Sequence, residues 1–263
     1  MKTPSLIPVS LIVAALSAGC GCSKTEEAPP TPVPTAEPTP PPAPAVPAAP
    51  AGFGTVEGSV AFTGTAPEMK PLDRKADPIC AKTKANDEEI LVNVNKTLRN
   101  VIVRVMGIDK DYDAPAEEAK IEQHDCMYRP RVSGVVAGQT VAIKNGDQTL
   151  HNVHTYRGEK TLFNMAQPPN MPDIKQPLKK GEPQVIKFKC DVHPWMTAHV
   201  LVSNHPFFAV TGEDGKFALK DVPAGKYTIE AWHEKFGAKT VEVNVEPDKA
   251  ATADLSYAGT ETM

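Results

Sequence analysis

The feature that most constrains the fold of this chain is a set of three potential metal ligands within one short segment. Cys190, His193 and Met196 follow one another at three-residue intervals in Cys190-Asp191-Val192-His193-Pro194-Trp195-Met196. This segment offers a thiolate, an imidazole and a thioether, and a complete site needs a second imidazole from another strand. His151, in Leu150-His151-Asn152-Val153-His154, is well placed to supply it. The fold must therefore bring residues 151 and 190 together.

The donor types indicate copper. Two histidines and one cysteine in a near-trigonal plane, with a weak axial methionine, form a type 1 copper site that suits both Cu(I) and Cu(II). Alternate residues of a strand face opposite ways, so His151 and His154 do not easily bind one metal. Two alternatives stay open. One is a zinc site of His151, His154, Cys190 and His193, and the other is no metal, with Cys190 and Met196 as buried apolar residues.

Residues 1–19 are predicted to be a lipoprotein signal peptide. Lys2 precedes an apolar run from Leu6 to Ala18 that is too short to span a bilayer comfortably. The run leads into Ala18-Gly19-Cys20, which resembles a bacterial lipobox. Lipidation of Cys20 would make the chain a membrane-anchored lipoprotein of the bacterial cell envelope, on the periplasmic side, with the inner or outer membrane undetermined. Ordinary secretion, with Cys20 and Cys22 in a disordered tail, is the alternative.

Residues 20–50 are predicted to be a lipidated, disordered tether. The stretch from Ala28 to Pro50 is mostly Pro and Ala with some Thr and has no hydrophobic periodicity, so an extended polyproline II-like conformation is expected. At about 3.1 Å per residue it reaches up to roughly 70 Å. A carrier on such a tether samples partners near the membrane.

The rest of the chain has the pattern of an all-β protein. Only Ala114 to Lys120 suggests a helix. Many short strands with turn signals such as Asn145-Gly146 predict a β-sandwich. The expected strands include Thr55–Phe62, Val101–Val105, Arg131–Val136, Thr140–Lys144, Gln184–Lys189 and Thr197–Val202.

The pattern changes after Pro206. Asp214-Gly215-Lys216-Phe217, followed by Pro223-Ala224-Gly225-Lys226-Tyr227, resembles the carboxypeptidase-regulatory-like (transthyretin-like) β-sandwich. The segment is short for a complete module, and Thr55–Phe62 is a candidate for its missing first strand. The predicted division is a copper domain at 51–205, the smaller β-sandwich segment at 206–258 and a tail at 259–263.

The metal-ligand pattern resembles that of cupredoxins, and within them amicyanin and plastocyanin. The shared features are the Cys-x2-His-x2-Met loop with Pro194 after its histidine, and His-Asn-Val-His from His151 to His154. Asn145, six residues before His151, belongs to the same pattern. The resemblance covers roughly residues 130 to 203. It implies a Greek-key β-sandwich that holds one mononuclear type 1 copper.

The resemblance also implies a role for each residue of the site. His151, Cys190 and His193 would be equatorial ligands, and Met196 would be the axial ligand. Around them, the supporting residues would be Asn145, Asn152 and Pro194. Apart from the resemblance, the position of Trp195 between His193 and Met196 predicts that it packs over the site or lies near an electron exit, with simple loop packing as the alternative. The chain departs from the family pattern at Leu150, Lys187 and Lys189, which leaves its docking surface and partner undetermined.

The cysteines suggest one disulfide. If Cys20 is lipidated and Cys190 binds metal, Cys80 and Cys126 remain in the folded region as a plausible pair, which an exported protein permits. Pairing of Cys190 in a disulfide is the alternative, and Cys22 has no assigned role.

Single-electron transfer is the expected function, with a cytochrome, an oxidase or a dehydrogenase as redox partner and no enzymatic activity. The alternative is an envelope copper carrier or sequestering protein without redox turnover. A copper oxidase or reductase is disfavoured because Lys189 and Asp191, not histidines, flank Cys190. The C-terminal segment could in addition be a binding module. The net charge of -4 and the pI near 6.0 do not suggest nucleic acid as a partner.

Overall fold

The described part of the chain consists almost entirely of β-strands, which confirms the all-β prediction. The structure is a computed structural model and describes residues 51–179, 181 and 184–261. Within these residues the single helical element is a 3-10 turn at Cys80–Lys82. The strands are β1 (Phe53–Phe62), β2 (Ile102–Met106), β3 (Ala119–His124), β4 (Met127–Arg129), β5 (Val132–Val136), β6 (Thr140–Asn145), β7 (His151–Arg157), β8 (Lys160–Gln167), β9 (Ile174–Pro177), β10 (Gln184–Lys189), β11 (Thr197–Ser203), β12 (Phe208–Val210), β13 (Lys216–Pro223), β14 (Gly225–His233), β15 (Gly237–Val245), β16 (Ala250–Thr252) and β17 (Leu255–Tyr257).

Two sheets form the β-sandwich that contains the predicted ligands, called the first sandwich from here on. One sheet has the strand order β5-β11-β10-β7-β8, and the other has the order β4-β3-β6-β9. Their facing side chains share one buried core, which includes Ile143, Val153 and Phe188. The period-two pattern of the strands produces this core, since Ile186 and Phe188 are buried along β10 while Lys187 between them is exposed.

Two further sheets form a second sandwich. In one, β1 lies between β13 and β16 and also pairs with β17, and the other has the order β12-β2-β14-β15. The core of the second sandwich includes Val60, Leu219 and Ile229. Strand β1 brings the N-terminal part of the described chain into this sandwich, with Val56 opposite Leu219 and Val60 opposite Leu255. Thr55–Phe62 thus occupies the place suggested for it as an additional strand.

Strand pairing crosses the predicted boundary at residue 205. Strand β2 pairs with β14, and Val105 lies opposite Ile229. Val101, Val103 and Val105 are buried in the second core, which explains why this apolar strand pairs with C-terminal strands. The predicted copper domain at 51–205 includes β1 and β2, but both strands belong to the second sandwich. Only β3 to β11 make up the first sandwich.

The helix predicted over residues 114–120 is wrong. Residues 114–118 form no helix, and Ala119–His124 is the strand β3, which runs parallel to β6. Ile121 and Gln123 are buried while Lys120 and His124 are exposed, which is the alternation of a strand and not of a helix.

Several predictions concern residues outside the described range. The signal peptide at 1–19, Cys20, Cys22 and the tether at 20–50 lie there, and the tail at 259–263 is described only as far as 261. Among the described residues, no helix is long and apolar enough to cross a membrane.

Candidate metal centre

The pairing of three neighbouring strands brings the predicted ligands together. His151 is the first residue of β7, while Cys190 follows the last residue of β10. Strands β7 and β10 are adjacent and antiparallel, with His154 opposite Lys189. Loop 190–196 connects β10 to β11, and two backbone hydrogen bonds close it, from Cys190 N–H to Met196 O at 3.3 Å and from Met196 N–H to His193 O at 2.9 Å.

Three donor atoms converge at this end of the sheet. The Nδ1 atoms of His151 and His193 are 2.9 Å apart, and Cys190 Sγ lies 3.7 Å from His193 Nδ1. One ligand atom from each of the three residues lies within 4.8 Å of the others, and all three residues are buried. Met196, from the same loop, is also buried. Cys190 is a free cysteine. The structure thus brings the three predicted equatorial ligands together, and Met196 belongs to the same buried core as Cys190.

A carboxylate holds each imidazole from behind. His151 Nε2 lies 2.9 Å from Asp147 Oδ2, and His193 Nε2 lies 3.0 Å from Asp77 Oδ2. These contacts place the ring proton on Nε2 and leave a lone pair on Nδ1, which is how outer carboxylates orient metal-binding histidines. Two lone pairs that face each other at 2.9 Å need a cation or a proton between them. The residues therefore fit a metal ion.

Neither carboxylate was predicted from the sequence. Asp147 is only four residues before His151 and follows the Asn145-Gly146 turn, so its proximity could have been noticed. Asp77 is 116 residues from His193 and has no local signal.

Hydrogen bonds keep Asp77 ionised. Thr149 Oγ1 donates to its Oδ2 at 2.6 Å, and the backbone N–H groups of Ile79 and Cys80 donate to its Oδ1 at 2.7 and 3.1 Å. Burial opposes ionisation, but these donors and His193 outweigh it, so the pKa of Asp77 lies well below its usual range. Because Asp77 stays ionised, it accepts the hydrogen bond from His193 Nε2 and keeps the ring oriented.

Asp147 is held in a similar way. Burial raises its pKa, but the hydrogen bond from His151 and the backbone N–H of Cys126, at 2.9 Å, lower the pKa below its usual value. Asn145 shapes the turn that presents this carboxylate, because its Oδ1 accepts from Asp147 N–H at 3.0 Å and its amide donates to Gln167 O at 2.8 Å.

The buried guanidinium of Arg74 offsets the charge of these two carboxylates. Its Nη2 donates to Asp125 O at 2.6 Å, while its Nε and Nη1 have no hydrogen-bond partner among the described residues. Burial lowers the pKa of Arg74, and the negative charges of Asp125, Asp147 and Asp77 act against that effect. Arg74 is therefore a buried cation close to both carboxylates that hold the histidines.

The surroundings of the Cys190 thiol lower its pKa and so favour the thiolate. Burial raises its pKa, but the neighbouring His151 ring and hydrogen bonds from the backbone of Asn152 and His193 outweigh burial and lower it. The Asn152 N–H lies 3.4 Å from the sulfur. Because the thiolate is the form that binds metal, these donors favour binding. Burial lowers the pKa of His151, but Asp147 and Cys190 outweigh burial, so the pKa lies above its usual value.

The remaining predicted support residues lie around the loop. Asn152 Oδ1 accepts from Asp191 N–H at 2.5 Å, which connects β7 to the ligand loop. Trp195 packs its ring 5.1 Å from that of His193, and its indole N–H donates to Cys126 O at 3.0 Å. Pro194 is exposed on the loop.

His154 lies away from the donor group. Its Nδ1 is 2.9 Å from Asp191 Oδ2, and its Nε2 is 2.9 Å from Thr161 Oγ1. The groups of potential ligands found among the described residues do not include His154. The four-ligand zinc alternative required this histidine, so the geometry does not favour it.

The Cys80–Cys126 disulfide is present and touches the site. It joins residues 46 apart in sequence, and Cys80 Sγ lies 3.6 Å from His193 Nε2. Cys126 contributes through its backbone to both Asp147 and Trp195. The bond therefore anchors the segment that contains Asp77 against the ligand loop.

Comparison with known families gives a match to the C-terminal part of the chain. A family model described as carboxypeptidase regulatory-like domain matches residues 192–257. This confirms the resemblance proposed for the C-terminal segment, and the match begins before residue 206. No curated protein matches the sequence.

Several solved structures resemble part of the chain. A purple cupredoxin from Nitrosopumilus maritimus is 25% identical, with 32% of this chain and 99% of that chain covered and a TM-score of 0.29. Amicyanin from Paracoccus versutus is 22% identical, with 38% and 97% covered and a TM-score of 0.28. A Cu-containing nitrite reductase from Thermus scotoductus SA-01 is 15% identical, with 39% and only 26% covered and a TM-score of 0.31. Because these TM-scores are low, the similarities carry no argument about function. The functional proposal rests on the donor atoms of the site itself.

Proposed function

We propose that this protein is a mononuclear type 1 copper protein that carries single electrons between redox partners. The observation that supports this most directly is the convergence of Cys190 Sγ with the Nδ1 atoms of His151 and His193, each ring held by a carboxylate. Copper bound there would supply a one-electron couple between Cu(I) and Cu(II). The mixture of thiolate, imidazole and thioether donors suits both oxidation states.

The surrounding residues keep the donors in one arrangement. Asp147 and Asp77 fix the two rings, and the backbone hydrogen bonds between Cys190 and Met196 close the loop. A site that is organised by its support residues needs little rearrangement when its charge changes. This property favours electron exchange over transport of the metal.

Burial supports a carrier over an enzyme. Cys190, His151, His193 and Met196 are all buried, and Asp77 covers the outer edge of His193. A catalytic metal site keeps a position open for water or substrate. These side chains leave a substrate no direct approach to the donors.

We further propose that the protein is a lipoprotein of the bacterial envelope, anchored through Cys20, with a redox protein of the same compartment as its partner. The lipobox-like sequence before Cys20 and the Cys80–Cys126 disulfide support this location, because disulfides persist in oxidising compartments. Labelling of the expressed protein with a radioactive fatty acid should succeed for the wild type and fail for Cys20→Ser.

The first test of copper binding is a visible absorption and EPR spectrum of the protein with one equivalent of Cu(II). We expect an intense thiolate-to-copper charge-transfer band and a narrow copper hyperfine splitting. Cys190→Ser should lose both, and His154→Gln, which changes the histidine outside the donor group, should keep both. A colourless wild-type protein would refute the proposal. Reversible voltammetry of the coloured protein then separates an electron carrier from a copper carrier without redox turnover.

A further inference from the structure

The outer edge of His193 is closed off from solvent. Its side chain is only 2% exposed, its Nε2 is bonded to Asp77 at 3.0 Å, and Cys80 Sγ lies 3.6 Å from the same atom. The disulfide to Cys126 holds this covering segment in place. A redox partner therefore cannot contact the site through the edge of His193.

A chain of contacts leads from Cys190 to the surface on another side. Asp191 follows Cys190, its side chain is 46% exposed, and its carboxylate lies 2.9 Å from His154 Nδ1. The ring of His154 stacks on Tyr156 with centroids 4.1 Å apart, and Tyr156 Oη lies 2.7 Å from His154 Nδ1. The sulfur is thus connected through covalent bonds, a hydrogen bond and a ring contact to a partly exposed tyrosine.

Two lysines lie in register with these rings. Lys187 is opposite Tyr156 and Lys189 is opposite His154, so all four residues share one face of the sheet. We call this set the Tyr156 face. Neither lysine forms an ion pair with a carboxylate of the described residues. The two lysines, together with Leu150, are the residues at which the sequence departs from the cupredoxin pattern.

The carboxylates around the Tyr156 face are mostly neutralised. Glu89, Glu234 and Glu261 line the same depression as Tyr156 and Lys187. They are paired with Lys235 at 3.1 Å, Arg131 at 2.6 Å and Lys239 at 2.6 Å respectively. The turn from β7 to β8 adds Glu159 but also Lys160.

The charge that remains on the face is positive. Asp191 is bonded to His154 and not to a cation, so it offsets one of the two unpaired lysines. A positive surface attracts an acidic partner and speeds its association.

We infer that the Tyr156 face is the docking surface for a redox protein whose own redox centre is surrounded by carboxylates. The inference rests on the proposed copper function. Copper held by the Cys190 thiolate and the two imidazoles would supply one electron to the partner, which would be reduced by that electron. The route between the site and the partner would be formed by Cys190, Asp191, His154 and Tyr156. No bond forms or breaks and no proton moves.

The test uses hexacyanoferrate(III), a trivalent anion, as a one-electron oxidant of the Cu(I) protein in stopped-flow experiments at low ionic strength. Lys187→Glu/Lys189→Glu should lower the second-order rate constant about tenfold, because the surface that attracts the anion becomes repulsive. Added salt should slow the wild type and no longer slow the variant. The matched control is Lys216→Glu/Lys226→Glu, which makes the same change in net charge at exposed positions of the second sandwich.

Two outcomes would overturn the inference. One is an equal loss of rate in both lysine variants, which would mean that only net charge matters. The other is a loss confined to Leu150→Ser/Val192→Ser, since Leu150 and Val192 are apolar residues next to the ligands that are 43% and 48% exposed. That result would place docking on an apolar surface.

A second measurement does not depend on copper. Hexacyanochromate(III) is paramagnetic and redox-inert, and NMR line broadening reports where it binds on the metal-free protein. Signals of His154, Tyr156 and Lys187 should broaden first, whereas broadening confined to the second sandwich would contradict the inference. If the protein binds no copper, the proposed function fails but this mapping still decides whether the face attracts anions. If copper binds and the anion binds elsewhere, the function stands and the inference fails.

Discussion

Two pairs of buried histidines in this protein have opposite surroundings. His151 and His193 each bond through Nε2 to a carboxylate, and their Nδ1 atoms face Cys190. His199 and His233 are equally buried, but His199 Nδ1 and His233 Nε2 have no hydrogen-bond partner among the described residues. Burial alone therefore does not make a histidine a ligand. A carboxylate behind the ring, with a second donor in front of it, makes the difference.

Burial, together with the positive charge of Arg131, keeps the rings of His199 and His233 neutral. Glu234 is the nearest carboxylate, 3.7 Å from His199 Nδ1, but Arg131 engages both of its oxygens at 2.6 and 2.7 Å. Burial, followed by the positive charge of Arg131, lowers the pKa of His199 to about 3 and that of His233 to about 4. These two rings act as structural residues.

The largest expected difference between the pairs is in copper binding. His151→Gln should abolish the charge-transfer band, because an equatorial imidazole is lost. His199→Gln, a matched change in a ring that is also buried, should leave the band and the EPR spectrum unchanged. Titration with Cu(II) followed by absorption measures both. Equal loss of the band in the two variants would mean that the pairs do not differ in function.

The sequence predicts the ligand pair, His151 and His193, but neither its carboxylates nor the burial of His199, and the reason is physical. Cys190, His193 and Met196 lie in one loop, so their spacing alone brings them together. The role of Asp77 depends on a tertiary contact across 116 residues, and no local pattern encodes it. The burial of His199 likewise depends on packing between the two sandwiches, where its ring lies 5.4 Å from that of Trp232.

The strand predictions likewise succeed where the pattern is local and fail where it depends on tertiary contacts. Alternating apolar residues predicted β10 at Gln184–Lys189 correctly. For β3, the alternation of Ile121 and Gln123 involves a buried polar residue, which hydrophobicity does not reveal. Gln123 is buried because its amide donates to Gln167 Oε1 at 2.6 Å. The pairing of β1 with C-terminal strands could only be suggested from the sequence, because the partner of a strand is not encoded locally.

The next largest effect concerns the disulfide, which contacts His193 directly through Cys80. Cys80→Ala/Cys126→Ala should lower the free energy of unfolding by about 4 kcal/mol in the chain-entropy model, because the bond closes a loop of 46 residues. Urea denaturation of the metal-free protein measures this without a contribution from bound copper. Cys190→Ala is the control for loss of a buried cysteine outside the bond. A loss no larger than that of the control would show that the covering segment is held by other contacts.

The second pair, His199 and His233, should make the stability of the protein depend on pH. Both folded pKa values lie below the unfolded value of about 6.5, so the unfolded state binds more protons, and stability falls as the pH falls from about 6.5 towards about 4. For His233 the loss between about pH 7 and about pH 5 is on the order of 2 kcal/mol. His233→Gln should flatten this dependence in urea denaturation of the metal-free protein. His124→Gln, at an exposed ring, should not, and equal slopes in all three proteins would contradict the assignment.

The smallest expected effect tests whether the carboxylates orient the first pair. Asp77→Asn and Asp147→Asn keep an oxygen that accepts from Nε2 but remove its charge, so the imidazole becomes a weaker donor. We expect Cu(II) affinity to fall about tenfold in each, about 1.4 kcal/mol, with the charge-transfer band retained. Competition with a chelator of known affinity measures this. Asp254→Asn, which removes a carboxylate that accepts from Ser59 N–H in the second sandwich, is the matched control. A fall for Asp147→Asn alone would mean that Asp77 serves to cover His193 and does not tune it.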